Sequence, residues 1–390
     1  MGKKKINIAM IGGGFMGKAH SNAWRRVSEF FDTEFEPVLK VIAGNKTPLE
    51  DFAKRWGYEE VTYDWRTIME RDDIDVVDIG TPTFEHKEMA IAAAKAGKHI
   101  VCEKPFTLTY ADALEVVDAV EKAGVVHYLN HNYRRAPAVA YAKQMIEEGR
   151  LGTIYHWRGA YLQDWITDPN FPLSWQLQKD KAGGGPLFDL SSHAVDLARY
   201  LIGEPEAVTA VNKTFIKKRP LPGVGATAFT AGTGASATEF GDVEVDDASF
   251  AVVEFANGAL GSIESSRFAV GRKNYNYFEV YGSKGAIIFN LERMNELQYL
   301  DFTHDSKEQG FRTIMVTESD HPYVSAWWPP GHIIGYEHTF VNAFNDFLNA
   351  VAGKGTVKPD FHDGAQIIRI LEAMRKSSDE GRRVAVSEIE

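Results

Sequence analysis

Residues 11 to 17 read I-G-G-G-F-M-G, an apolar strand end that runs straight into three glycines and the start of a helix. Gly12, Gly14 and Gly17 have the G-x-G-x-x-G spacing. In a chain with 34 glycines that spacing alone says little. Placed directly after a strand and at the head of a helix, it has the context its mechanism requires. Gly12 permits the tight turn, Gly14 lets backbone approach a pyrophosphate, and Gly17 lets helix pack on strand, with Phe15 and Met16 in the same loop. The helix N-terminus then faces the anion. The stretch therefore predicts a dinucleotide site on a parallel sheet.

The neighbouring sequence agrees. Apolar runs at Ile6 to Ile11, Val38 to Ala43, Ile74 to Ile79, His99 to Cys102 and Val125 to Leu129 are each as long as a buried strand. Helical patterns at Pro48 to Trp56, Glu85 to Ala96 and Tyr110 to Lys122 alternate with them, and Gly97 and Gly124 stand where C-caps belong. The second run ends V41-I-A-G-N-K-T47, with Asn45 and Lys46 where an NAD site usually carries an acid. An amide can bond a ribose hydroxyl. A lysine can pair with a 2′-phosphate or simply lie on the surface. NAD and NADP both stay open, with a slight lean to NADP.

Glu103, Lys104 and Pro105 leave the run His99 to Cys102 at its carboxyl end, where open parallel sheets bind ligands. A lysine there can donate to a substrate oxygen and stabilise alkoxide charge, and Pro105, through a cis bond, can fix its direction. The plain alternative is a solvent-facing ion pair at a strand end.

After Asn132 the pattern changes to longer alternating runs: Ile154 to Leu162, Ala207 to Phe215, Ser249 to Phe255, Ala259 to Ser265, Tyr277 to Tyr281 and Ala286 to Phe289. Turns such as A256-N-G258 join several of them, which predicts an antiparallel sheet. Leu221 to Gly241 reads as a loop, and helices near Glu337 to Val351 and Gly364 to Lys376 should pack back on the body. Between these strands, A182-G-G-G-P precedes a helix whose apolar residues Leu190, Ala194, Leu197 and Leu201 recur at helical spacing. Asp189 and His193, four apart, share one face of it and can act on the same small ligand. Read alone, such a pair is more often structural.

At 390 residues the chain suggests two domains, taken as 1–132 and 133–390. A net charge of −11 argues against a nucleic-acid scaffold or a polybasic membrane binder. No run of about 18 apolar residues occurs, and the basic start breaks too early into glycines for an export signal, so a cytoplasmic protein is expected. The single Cys102 excludes an internal disulfide and reads as core. The histidines lack metal-ligand spacing, so no metal is expected.

These motifs together, with N132-Y-R-R135, resemble the Gfo/Idh/MocA oxidoreductases over nearly the whole chain. The resemblance implies an N-terminal Rossmann parallel sheet of α/β class plus a C-terminal α+β domain with a large open antiparallel sheet. It assigns catalysis to Lys104, Asp189 and His193. It places Thr81, Pro82, His86, Glu103, Asn132 and Arg134 along the dinucleotide and implies a homodimer or homotetramer through the open sheet. Y161-L-Q-D-W165 and D168-P-N-F-P-L-S-W175 narrow the likeness to the branch with levoglucosan and inositol dehydrogenases. Tyr161, Gln163, Trp165 and Trp175 offer flat faces for sugar C–H groups and polar groups for hydroxyls. For Trp175 core packing is an equal reading. His332, Tyr336 and His338 are further candidates for the pocket. The expected reaction is hydride transfer from a secondary hydroxyl of a sugar, anhydrosugar or inositol. An NAD-dependent glycosidase and a non-catalytic dinucleotide or sugar sensor are the rival readings.

Overall fold

The computed structural model describes residues 3–44, 48–222 and 239–390. They form two compact units that are interleaved in sequence. The first takes the described residues within Met1–Thr107, Ala111–Ala136 and Tyr323–Gln366; the second takes those within Leu108–Tyr110, Pro137–Pro322 and Ile367–Glu390.

In the first unit, strands β1 (Lys4–Ile11), β2 (Phe35–Ala43), β3 (Glu60–Thr62), β4 (Val76–Ile79), β5 (His99–Cys102) and β6 (His127–Leu129) form a sheet. Its order is β3-β2-β1-β4-β5-β6, and every pair is parallel. Helices α1 (Phe15–Phe30), α2 (Leu49–Trp56), α3 (Arg66–Met69), α4 (Thr83–Lys95) and α5 (Tyr110–Ala123) connect them. Strands covered on both faces must be apolar throughout, and Ile8, Ala9, Met10 and Ile11 of β1 are accordingly all buried. Gly97 and Gly124 take positive φ at the ends of α4 and α5, as their positions predict. The chain order reverses between β1 and β4, and such a switch point opens a crevice at the strands' carboxyl ends.

The helix Tyr336–Val351 belongs to this unit because it packs on α1. Trp24 is fully buried, with its ring 4.2 Å from Phe344 and 6.0 Å from Phe347. Burying side chains of this size is worth roughly 2–3 kcal/mol each.

The second unit is built on β7 (Ile154–Leu162), β8 (Pro205–Lys213), β9 (Lys218–Pro220), β10 (Phe240–Asp242), β11 (Ala248–Phe255), β12 (Leu260–Ser266), β13 (Tyr275–Gly282), β14 (Gly285–Asn290), β15 (Glu296–Asp301), β16 (Arg312–Met315) and β17 (Val384–Ala385). Among the described residues, nine of these make one sheet in the order β16-β15-β14-β13-β7-β12-β11-β8-β17. The expected antiparallel sheet is in fact mixed. Seven of its eight pairs are antiparallel, but β7 and β12 run parallel, with Leu162 opposite Ser266. Alternation of apolar and polar residues records which face is buried, not which way a neighbour runs. Two further expectations need correction. Phe240 and Gly241, read as loop, pair with Pro220 and Arg219; residues 223–238 of that stretch lie outside the described residues. The one helix expected to carry both Asp189 and His193 is two, Pro186–Asp189 with Asp189 at its end and Ser191–Leu201 with His193 in its first turn, joined through Leu190.

Candidate active site

The glycine loop of the first unit packs at contact distances that exclude side chains. Gly12 has φ +112°, and a Cβ there would lie 2.7 Å from the Gly80 carbonyl oxygen; a Cβ on Gly17 would lie 2.1 Å from that of Gly12. Loop, helix and the end of β4 are thus locked backbone to backbone. Phe15, the first residue of α1, is half exposed and stacks on Tyr336 at 6.2 Å with the planes 13° apart.

At the end of β5, Glu103 is buried while Lys104 is half-buried, and the Lys104–Pro105 peptide is cis. Glu103 Oε1 lies 2.9 Å from His20 Nε2 and accepts from Asn130 Nδ2 at 2.6 Å, while its Oε2 accepts the Lys104 N–H at 3.1 Å. The other His20 nitrogen, Nδ1, lies 2.8 Å from Asp78 Oδ1, and Trp24 Nε1 donates to Asp78 Oδ2 at 2.7 Å. Burial alone would drive the imidazole toward neutrality, but the Asp78 and Glu103 carboxylates override it and raise its pKa to about 10. Despite the burial that opposes it, the Glu103 carboxyl is held below its ordinary range by His20. The two strand ends β4 and β5 are therefore pinned to α1 by one imidazolium.

His86 is buried with Nε2 2.9 Å from the Thr81 carbonyl and Nδ1 3.0 Å from that of Pro105, so its ring ties the loop after β4 to the one after β5. Thr81 and Pro82 immediately precede α4, with Pro82 as its N-cap. Asn132 donates to Thr339 Oγ1 at 2.8 Å, Arg135 reaches Asp346 at 3.1 Å, and Arg134 is buried in the same 3₁₀ turn.

In the second unit, Asp246 caps the turn that leads to Asp189. Its two carboxylate oxygens accept the N–H groups of Gly185 and Leu187 at 2.8 Å each, and a Cβ on Gly185 would collide with the Asp246 carbonyl. Asp189 Oδ2 then accepts from Arg267 Nη2 at 2.7 Å. The Arg267 guanidinium lies 5.1 Å from the Trp165 ring centre, a cation–π contact. Trp165 Nε1 donates to Gln163 Oε1 at 2.8 Å, Gln163 Nε2 donates to Asn274 Oδ1 at 3.1 Å, and Tyr161 donates to that same oxygen at 2.6 Å. The Tyr161 ring meets His193 edge-on at 5.6 Å. Asp189 and His193 are thus the two ends of one continuous chain of side chains that runs through Tyr161, Gln163 and Trp165.

Two family models match the sequence: an oxidoreductase family with an NAD-binding Rossmann fold over residues 6–131, and the GFO/IDH/MocA C-terminal domain over residues 139–288. The chain belongs to the Gfo/Idh/MocA oxidoreductase family. It is 47% identical to the levoglucosan dehydrogenase of Pseudarthrobacter phenanthrenivorans over 99% of both chains. To the myo-inositol 2-dehydrogenase of Thermotoga maritima it is 26% identical, over 98% of this chain and 99% of the other. A solved structure of levoglucosan dehydrogenase in complex with NADH and levoglucosan is similar at a TM-score of 0.92, with 46% identity and coverage of 98% and 99%.

The loop fits the pyrophosphate of the dinucleotide that an NAD-binding Rossmann fold takes. A Cβ on Gly14 would meet nothing within 4 Å, so the space beside that backbone is open. α1 begins with no side-chain cap and no acidic residue in its first turn, which leaves its N–H groups and positive end for an anion. Asn45 and Lys46, the residues behind the lean to NADP, lie outside the described residues.

Some candidates have local partners. His338 Nδ1 accepts the Gly335 N–H at 3.1 Å and His332 lies 2.9 Å from the Pro329 carbonyl, which places both in turns around the helix start. Tyr336 faces the glycine loop through Phe15. Trp175 heads a 3₁₀ turn and is half-buried. Sequence reasoning missed His20, Asp78, Asn130, Arg267 and Asn274. Asp78 carried a signal, because a carboxylate inside a fully buried run demands a partner. Arg267 and Asn274 follow or precede strands without any local mark.

No helix of the described residues is long and apolar enough to cross a membrane.

Proposed function

We propose that this enzyme oxidises a secondary hydroxyl of an anhydrosugar or related pyranose, with levoglucosan as the first candidate, and that NAD(H) rather than NADP(H) is its cofactor. The observation that carries the reading is the linked row Tyr161, Asn274, Gln163 and Trp165 between His193 and Asp189. Alternating flat rings and amides suit a neutral, hydroxyl-rich ring far better than an acid or a phosphate. The relative named for levoglucosan and the similar structure named with NADH support the choice of substrate and cofactor.

NAD(H), when bound, supplies the hydride-accepting group. His193 takes the proton of the substrate hydroxyl as general base. Lys104 donates to the same oxygen and stabilises the charge that develops there. Asp189 orients the sugar by accepting from a neighbouring hydroxyl. Thr81, Pro82, His86, Glu103, Asn132 and Arg134 shape the dinucleotide cleft, His86 and Glu103 from buried positions. Trp175 adds a second flat face to the sugar site.

Homo-oligomerisation is part of the same proposal. Val211, Phe250, Val252 and Leu260 are about half exposed or more, and cross-strand register places all four on one face of β8, β11 and β12. Apolar exposure of this kind calls for a partner surface. The expected cytoplasmic setting is supported by the one cysteine, which is buried and unpaired with another.

A screen of NAD⁺ and NADP⁺ reduction with levoglucosan, glucose and myo-inositol tests the function. NADH formation with levoglucosan is the expected result. Absence of turnover on the whole panel, from enzyme that binds NADH, would reject it.

A further inference from the structure

Arg267 is 1% exposed, yet it meets Asp189 through a single N–H, Nη2 to Oδ2 at 2.7 Å. Two other arginines of the second unit grip their carboxylates bidentately. Arg199 holds Glu204 through Nε and Nη2 at 2.9 and 2.6 Å, and Arg383 holds Glu254 the same way at 2.6 and 2.8 Å. Arg267 instead leaves Nε and Nη1 buried with no hydrogen-bond partner. Open donors in the interior carry a desolvation penalty, so a guanidinium that keeps them is held in place by its other contacts. The constraint is visible in the sheet. Ser266 ends β12 opposite Leu162 at the end of β7, so the next residue, Arg267, emerges beside Gln163 and Trp165 and its guanidinium lies over the indole.

We propose that Arg267 is a positioning residue for the sugar: wedged on Trp165, it holds Asp189 by one oxygen and so aims the carboxylate at a substrate hydroxyl. The inference rests on the dehydrogenase reading above and adds to it a residue outside the catalytic set. Lysine at this position would supply charge without the planar face that lies on the indole or the directed N–H.

A double-mutant cycle tests it, with the parent enzyme, Arg267→Met, Asp189→Asn and the double variant assayed for NAD⁺ reduction by levoglucosan. Arg267→Met is expected to lower kcat/KM by at least about 20-fold, mostly through KM, while NADH affinity changes by less than about 2-fold. In the Asp189→Asn background the same substitution should change kcat/KM by less than about 3-fold, because the group it acts through is already gone. Arg267→Lys should recover only part of the loss. If Arg267→Met does not fold, Arg267→Gln and Arg267→Lys complete the cycle. Multiplicative losses in the double variant, or parental kinetics in Arg267→Met, overturn the inference while leaving the dehydrogenase reading intact. A parent enzyme inactive on every sugar overturns both.

Discussion

The imidazole of His20 lies 2.8 Å from the Asp78 carboxylate, and both side chains are fully withdrawn from solvent. Glu103 completes the bridge at 2.9 Å. A folded-state pKa near 10 against an ordinary 6.5 means that folding favours the imidazolium. Its contribution is complete below pH 6.5 and fades as pH rises toward 10. The melting temperature should therefore fall between these pH values by an amount equivalent to a loss on the order of 2–4 kcal/mol. In His20→Gln the fall should be much shallower, although its stability at pH 6 is lower. Parallel melting curves for the two proteins would refute the charged bridge.

Two neighbouring glycines should respond oppositely. Gly17→Ala puts a methyl 2.1 Å from the Gly12 carbonyl and should destabilise the first unit by at least about 2 kcal/mol. Gly14→Ala has open space around it and should melt like the parent, yet bind NADH at least about 10-fold more weakly by fluorescence titration, since the methyl enters the pyrophosphate's approach. Unchanged NADH affinity in Gly14→Ala would remove the cofactor from this loop.

Lys104→Met and His193→Ala should each reduce turnover at least about 100-fold with NADH binding preserved. Steady-state kinetics beside a binding titration separates the two effects. Intact turnover in either variant contradicts its assigned role.

Tyr161→Phe keeps the ring against His193 and removes only the hydroxyl that donates to Asn274. The lost bond is worth about 1 kcal/mol of stability, so the melting temperature should fall by a few degrees, read by circular dichroism, with little change in kcat. A large drop in kcat with constant KM would make Tyr161 part of the chemistry instead.

Placing charge on the open sheet should break subunit association. Val252→Glu is expected to shift the mass measured by light scattering to that of a monomer, with circular dichroism unchanged. A parent protein that is already monomeric at micromolar concentration would rule out this interface.

Much of the first unit could be read locally, because a strand covered on both sides shows itself as an unbroken apolar run and its helices end on Gly97 and Gly124. Motif spacing likewise marked Gly12, Gly14, Gly17, Lys104, Asp189 and His193 as candidates. What stayed hidden depended on distant pairing. His20 meets Glu103 across 83 residues and Arg267 meets Asp189 across 78, and neither contact leaves a periodic trace. The helix Tyr336–Val351 joins the first unit through Phe344 and Phe347 against Trp24, more than 300 positions earlier. Leu190 broke a helix whose apolar stripe, Leu190, Ala194, Leu197 and Leu201, is nonetheless buried as its spacing predicts.

The parallel run of β7 beside β12 has an evolutionary corollary. Since both strands exit at the same rim, and Tyr275 of β13 enters opposite Leu162, three separate connections are delivered to one spot by backbone register alone. Side chains on those connections can be exchanged while the ladder that holds them stays untouched.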